Sequence, residues 1–219
     1  MINTYHQWEP SLGRANPFGL FLPETAVDET INGKYLLWVD LEATSLNTDT
    51  ATCLEIGAVL TSLDAKTIYG RGFTSVRQAP EAYEQIDEWV STNIPKAIDD
   101  SMCASASVAK VDQWLNMWLD VIIRANSMTA PTFHLAGNSV WYDRAIIRHQ
   151  FPKLHERLHY RQLDVSSIQI FMDAAHPTNP DTRLNMEKKK SHRAVKDIDE
   201  SITQYARFLD FSQNPSKML

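Results

Sequence analysis

Three consecutive strand-like runs constrain the fold more than any other feature of this sequence. They cover Tyr35 to Leu41, Cys53 to Ser62 and Ile68 to Val76, and each is rich in apolar and β-branched side chains. A turn at Asp64-Ala65-Lys66 separates the second run from the third. Helical patterns begin only near Pro80. The first third of the chain therefore predicts a β-meander, with helices following it.

The remainder of the chain combines helices with one further strand. A helix is predicted from Ser107 to about Asn126, because apolar residues recur there at steps of three and four. After it, a strand is expected over Thr132 to Ala136 and helices over Val140 to Gln150, Asp164 to Ala174 and His192 to Leu209. The pattern predicts an α/β domain with a mixed sheet.

One main domain with two flanking segments is the simplest division. The chain has 219 residues and 43% hydrophobic content, which suffices for one sizeable core. Residues 1–33 contain prolines that break regular structure and apolar side chains that would anchor an arm on a surface. We expect an N-terminal arm over 1–33, the domain over 34–212 and a tail over 213–219.

Composition and charge exclude several classes of protein. No apolar run approaches the length of a membrane span, and the N-terminus lacks a basic-then-apolar signal layout. Cys53 and Cys103 show no metal or redox spacing. We expect a soluble cytoplasmic protein with no membrane partner. Its net charge of −6, from 27 acidic and 21 basic residues, opposes tight binding along a long phosphate backbone.

Two carboxylates, Asp40 and Glu42, end the first predicted strand. Residues two apart in a strand point to the same side, so these like charges would repel. One interpretation is that the strand has already ended and both are solvated, or that one caps a turn with Thr44 and Ser45. The other is that they bind cations, which requires further ligands elsewhere in the chain.

Two later segments offer such ligands. Asp143 falls in the first turn of the helix that follows Gly137-Asn138-Ser139, although the helix dipole alone would also favour an aspartate there. His192 and Asp197 are five residues apart, a rotation of about 500° on a helix, so they would not share a helix face. We expect His192 at the start of the last helix, leaning toward the site, and Asp197 pointing in from the helix itself.

These motifs resemble those of the DEDDh 3′→5′ exonucleases: Asp40-Leu41-Glu42 with Thr44, Asp143 within GNSxxxD, and HxAxxD from His192 to Asp197. The segments GNSVWYDRAIIRHQFPKLHERLHYRQLDVSSI and HRAVKDIDESI are similar, more narrowly, to the oligoribonuclease branch, which carries HYRxxDVS and DIxES blocks. The resemblance covers about residues 34 to 210. It implies a ribonuclease H-like exonuclease fold, with a mixed five-stranded sheet flanked by helices.

The resemblance also implies the chemistry. Asp40, Glu42, Asp143 and Asp197 would hold two divalent cations, Mg²⁺ or Mn²⁺, which suit hard oxygen ligands. His192 would be the general base, because the unperturbed pKa of histidine, near 6.5, lets it accept a proton at neutral pH.

A wedge and an aromatic partner for the substrate's terminal bases are implied at Leu46 and Trp89, although either could be an ordinary core residue. Two departures from the family stand nearby. Ser45 replaces the glycine that usually precedes the wedge leucine. The segment Val90 to Lys96 lacks the His-x-x-Ser-Gly element expected shortly after the tryptophan, which puts strict dinucleotide preference in question.

A homodimer is implied by the HYR block, which in the resembled family reaches across a subunit interface. Tyr160 would lie near the partner's scissile phosphate, and Arg161 would join Ser139 and Ser166 in holding the substrate's 5′ phosphate. The structural alternatives are a surface ion pair for Arg161 and a simple first-turn position for Ser166.

The function implied is hydrolysis of short RNA to nucleoside 5′-monophosphates by an oligoribonuclease-like phosphodiesterase. One alternative is a DEDDh exonuclease acting on DNA or longer RNA. Another is a binding module that sequesters nucleotides without catalysis, although a dead copy has no chemical reason to keep four carboxylates and His192. The N-terminal arm and the run Lys188-Lys189-Lys190 suit a divergent member, for example a viral one.

Overall fold

A twisted sheet forms the centre of the computed structural model, which describes residues 18–20, 33–175 and 193–213. Within that part of the chain the sheet has six strands in the order β1-β4-β3-β2-β5-β6. The strands are β1 (Phe18–Leu20), β2 (Lys34–Ala43), β3 (Cys53–Ser62), β4 (Ile68–Ser75), β5 (Thr132–Gly137) and β6 (Leu158–Asp164). Neighbours among β1 to β4 are antiparallel, whereas β5 is parallel to β2 and to β6. The predicted mixed sheet of five strands is confirmed in β2 to β6.

Helices cover both faces of this sheet. They are α1 (Pro80–Tyr83), α2 (Glu88–Asn93), α3 (Pro95–Cys103), α4 (Val108–Ala125), α5 (Trp141–Gln150), α6 (Pro152–Arg157), α7 (Val165–Ala175) and α8 (Ala194–Gln213). Side chains cap several of them: Asp87 accepts from the Val90 amide, Ser107 from the Lys110 amide, and Asp164 from the Ser166 amide. The helices predicted around α4, α5, α7 and α8 are confirmed within the described residues.

The central strand β2 is buried on both faces, which divides the core into two layers. Alternate residues such as Leu37 and Val39 pack toward α4, α5 and α6. The intervening residues Leu36 and Trp38 pack toward α7 and α8. Asp40 and Glu42 continue this second series, so the geometry of the strand directs both carboxylates to the face that α8 covers.

The sequence did not predict either of the two outer strands of the described sheet. β6 is a polar, largely exposed edge strand without the apolar alternation that marks a strand. β1 belongs to the predicted arm, and Phe18 lies opposite Gly72 of β4. The remaining residues of the arm, the Lys188-Lys190 run and the tail from residue 214 lie outside the described residues. Among the residues described, no helix has the length and apolar character to cross a membrane.

Candidate active site

Three carboxylates converge at the end of β2. Each of Asp40, Glu42 and Asp197 offers one oxygen atom, and these atoms lie within 4.8 Å of one another. Asp197 comes from the first turn of α8, which packs on the face of β2 that carries the other two. Cations, not solvent, are the natural partners of charges brought together this closely.

Asp143 lies beside this group. The chain leaves β5 through Ser139, whose φ of 52° is in the left-handed region, and then enters α5. This sharp turn places Asp143 in the first helical turn, where it is only 5% exposed. Its Oδ1 atom accepts a hydrogen bond of 3.0 Å from the backbone N–H of Leu41, between Asp40 and Glu42. The fourth predicted carboxylate therefore reaches the same strand end.

Burial and mutual repulsion disfavour the charged forms of Glu42 and Asp143. Burial, and then the charges of Asp197 and Glu55, raise the pKa of Glu42 from 4.5 to about 7. The pKa of Asp143 is also raised, chiefly by burial, although the Leu41 N–H opposes the shift. A cluster of this kind takes up divalent cations readily, because they remove the repulsion and replace the lost hydration. The donor set, made only of carboxylate oxygens, fits Mg²⁺ or Mn²⁺.

A pH dependence of stability follows for the metal-free protein. Since the folded pKa of Glu42 is about 7 and the ordinary value 4.5, the folded state binds more protons than the unfolded state between these values. We therefore expect the melting temperature in EDTA to fall as the pH rises through this window, and Mg²⁺ or Mn²⁺ at pH 8 to restore it. Calorimetry of wild type and Glu42→Gln tests this, because the variant should show a flatter profile. Identical profiles would contradict the assignment.

Leu46 and Trp89 are exposed apolar side chains on two segments joined near the end of β2, and we call them the apolar rim. Leu46 is 73% exposed in the loop after β2, and Trp89 is 48% exposed in α2, so neither is a core residue. The backbone N–H of Asp87 donates to the carbonyl of Thr44 at 3.1 Å, which joins the start of α2 to the end of β2. This bond joins the two segments of the chain that carry the rim residues.

Ser139 and Ser166 are direct neighbours at the junction of β5 and α7. Their hydroxyl oxygens are 3.4 Å apart, and the Ser139 N–H donates to Ser166 Oγ at 3.2 Å. Asp164 Oδ1 accepts from the N–H groups of Ser139 and Ser166. The cluster presents two hydroxyls beside the N-terminus of α7, where the Asp164 carboxylate already accepts from the first amides of the helix.

Tyr160 and Arg161 stand apart from this cluster, on the outer strand β6. Both are exposed, and the Arg161 guanidinium lies 5.3 Å from the centre of the Tyr160 ring. Exposed apolar residues of α7, Ile170 and Phe171, follow in the chain.

His192 lies outside the described residues, so its role stays a prediction. The structure adds two residues that the sequence did not single out, Glu55 and Arg193. Glu55 is buried directly opposite Glu42 in the β2–β3 register and is paired with Arg193. A carboxylate at the third position of a mainly apolar strand was the available signal for Glu55.

Comparisons with known proteins agree with this geometry. The exonuclease family, RNase_T, matches residues 37–205. An oligoribonuclease of Pseudoalteromonas translucida is 29% identical over 184 residues, covering 80% of this chain and 93% of that protein. One of Corynebacterium diphtheriae is 32% identical over 185 residues, covering 80% and 83%. The chain therefore belongs to the exonuclease family.

Within that family, the predicted resemblance to the oligoribonuclease branch of the DEDDh exonucleases is confirmed. Solved structures support the fold. The nuclease domain of 3′hExo, a DEDDh family member bound to rAMP, superposes with a TM-score of 0.52 at 14% identity, covering 84% of this chain and 94% of that one. Exonuclease I of E. coli in complex with single-stranded DNA gives 0.56 at 14% identity, and the match covers 84% of this chain but 41% of that one.

Proposed function

We propose that this protein is a metal-dependent 3′→5′ exoribonuclease that hydrolyses short RNA oligonucleotides to nucleoside 5′-monophosphates. The observation that carries the proposal is the convergence of Asp40, Glu42 and Asp197 within 4.8 Å, with buried Asp143 hydrogen-bonded to the same strand. The oligoribonuclease relatives support RNA as the substrate class.

The four carboxylates would hold two divalent cations, Mg²⁺ or Mn²⁺, and they are the residues Asp40, Glu42, Asp143 and Asp197. When bound, such ions stabilise the charge that develops on the attacking and leaving oxygens of a phosphodiester. His192 accepts a proton from the attacking water. The oxygen of that water bonds to phosphorus, and the bond from phosphorus to the 3′ oxygen of the preceding nucleotide breaks. That 3′ oxygen takes up a proton from solvent to become the 3′ hydroxyl of the shortened RNA, and a nucleoside 5′-monophosphate leaves.

Preference for short substrates follows from the two ends of the site. The exposed rim of Leu46 and Trp89 stacks against the 3′-terminal bases. Ser139 and Ser166, joined by Arg161, hold the 5′ phosphate at the other end. The net charge of −6 supplies no long cationic track for the rest of a longer strand.

A homodimer completes this site in our proposal. β6 is an outer strand of the described sheet, and exposed Tyr160, Ile170 and Phe171 lie on it or on the helix that follows. A strand edge that pairs with no other described strand, beside exposed apolar side chains, favours association with a second copy. Arg161 would then reach the 5′-phosphate cluster of the partner and not its own.

Arg161→Ala tests the dimer and the phosphate contact together. We expect the variant to bind 5′-phosphorylated dinucleotides about tenfold or more weakly, and unphosphorylated ones nearly as well as wild type, because a charge-assisted hydrogen bond contributes roughly 1.5–3 kcal/mol. Arg148→Ala, which removes an exposed arginine from α5, is the charge-matched control. Full activity in a protein that sediments as a monomer at the assay concentration would refute the shared site.

The length profile tests the proposed function itself. The segment that replaces the family's histidine-bearing element, Asn93-Ile94-Pro95, lines a cavity of about 580 Å³ together with Phe73 and Arg193. If the missing histidine supplied one substrate contact of ~1 kcal/mol, its loss lowers the preference for dinucleotides over longer RNAs several-fold, since about 1.4 kcal/mol is tenfold. We therefore expect cleavage of RNAs of two to five residues with a flat profile, poor cleavage of long strands, and none in EDTA.

The assay is a time course of kcat/KM on 5′-labelled RNA from two to about twenty residues, with matched deoxy-oligomers. A sharp maximum at two residues would show that the missing histidine is dispensable. Rates that rise toward twenty residues, or equal rates on DNA, would favour a general exonuclease. Binding without any cleavage in Mg²⁺ and in Mn²⁺ would favour the sequestering module.

A further inference from the structure

Glu55 is a buried carboxylate that the proposed chemistry leaves unused. It lies in β3, is 1% exposed, and stands directly opposite Glu42 of β2. Two carboxylates in this arrangement repel each other, and each loses hydration on burial. Glu55 adds negative charge next to the metal-binding group. Its burial therefore requires a compensating partner, and that partner indicates its role.

The partners of Glu55 are the residues at which α8 begins. The backbone N–H of Ala194 donates to Glu55 Oε1 at 3.1 Å. Arg193 Nη2 lies 2.8 Å from Glu55 Oε2, and Arg193 Nη1 donates to Asp100 Oδ2 of α3 at 3.1 Å. One guanidinium thus ties strand β3, helix α3 and the start of α8 together. Its planar fork allows two carboxylates to be bound at once.

Close packing fixes the same turn of α8 against the sheet. A Cβ atom on Gly57 would lie 3.0 Å from Ala194 Cβ and 3.1 Å from Ile198 Cδ1, so a larger residue there would force α8 to shift. Gly57 is the direct neighbour of Asp40 in the β2–β3 register. The first turn of α8 therefore sits immediately beside the strand end that carries the carboxylates.

The main chain connects this anchor to the metal-binding group. The N–H of Asp197 donates to the carbonyl of Arg193 at 3.2 Å, one helical turn away. Asp197 contributes its oxygen to the group formed with Asp40 and Glu42. Holding Arg193 against Glu55 therefore sets the position of Asp197.

We propose that Glu55 and Arg193 form a positioning pair, which sets the start of α8 so that Asp197 meets Asp40 and Glu42. Neither residue belongs to the group of ligand oxygens that Asp40, Glu42 and Asp197 form. The placement of Asp197 rests on the geometry alone, whereas its role as a metal ligand rests on the proposed function. The competing account is an ion pair that contributes only to stability.

The double variant Glu55→Gln/Arg193→Met separates these accounts. It removes one charge of each sign, so the net charge beside the carboxylates is unchanged and no buried charge is left unpaired. The control is Asp199→Asn, which breaks the ion pair between Asp199 of α8 and Arg71 of β4, a second tie from the same helix to the sheet.

Mn²⁺ affinity, measured by calorimetry without substrate, is the first readout. We expect the double variant to fold and to bind Mn²⁺ about 10–100-fold more weakly, the usual loss when a residue that orients a metal ligand is replaced. Steady-state kinetics on a short RNA should show a similar loss in kcat, with KM changed less than about twofold. Asp199→Asn should match wild type in both measurements.

Wild-type Mn²⁺ affinity and kcat in the folded double variant would overturn the positioning role. An equal loss in Asp199→Asn would overturn it too, because the effect would then follow from breaking any contact between α8 and the sheet. The Mn²⁺ titration needs no hydrolysis, so it tests the pair even if the wild-type protein cleaves no RNA. Failure of the proposed function is thereby distinguished from failure of this inference.

Discussion

We expect Asp143→Asn to lower kcat/KM on short RNA by on the order of 10³-fold or more, since a metal ion contributes several kcal/mol to such a reaction and each 1.36 kcal/mol is tenfold. The substitution keeps the shape of the side chain and an oxygen that can accept from the Leu41 N–H. It removes only the charge that the cations require. Asp40→Asn should have the same effect, because Asp40 belongs to the same group of ligands.

Asp143→Asn should raise the thermal stability of the metal-free protein, although it lowers activity. Burial and neighbouring charge raise the pKa of Asp143 from 3.8 to about 8, so this carboxyl group makes the metal-free fold progressively less stable as the pH rises through that window. We expect Asp143→Asn to melt higher than wild type in EDTA, by roughly 2–4 °C for each kcal/mol gained. Asp99→Asn, which removes an exposed carboxylate from α3, is the control and should change neither property. Wild-type turnover in purified Asp143→Asn would refute the assignment.

His192→Ala should reduce kcat by about 10²–10⁴-fold, the usual contribution of a general base. Mn²⁺ affinity should be retained, because the four carboxylates are intact. The acidic limb of the pH–rate profile should disappear with the imidazole, since that limb reports protonation of the base. His155→Ala, which removes a histidine from α6, serves as the control. A variant that keeps the wild-type profile would remove His192 from this role.

The sequence predicts the interior of the sheet well, because interior strands carry their own signal. Cys53–Ser62 is apolar along nearly its whole length, as a strand buried on both faces must be, and the structure gives it the predicted bounds. Leu158–Asp164 escaped prediction because it is an exposed outer strand whose polar side chains face water. Its pairing with β5 depends on tertiary contacts that local periodicity does not report.

The candidate site also combines features that local sequence predicts with features that depend on tertiary contacts. Asp40 and Glu42 are two apart at a strand end, and this spacing alone predicts that they share a face. The partnership of Glu55 with Arg193 is a contact between residues far apart in sequence, and only the register of β2 with β3 and the packing of α8 reveal it. Leu46 and Trp89 were equally compatible with a core, which their exposure rules out, and their substrate role stays a prediction.

Anomalous diffraction from crystals soaked in Mn²⁺ with an unreactive dinucleotide tests the central claim most directly. We expect two manganese peaks about 3.5–4 Å apart, with the terminal phosphate between them. The ligands of these ions should be oxygens of Asp40, Glu42, Asp143 and Asp197. Peaks elsewhere, or none at this site in a protein that still cleaves RNA in EDTA, would contradict it.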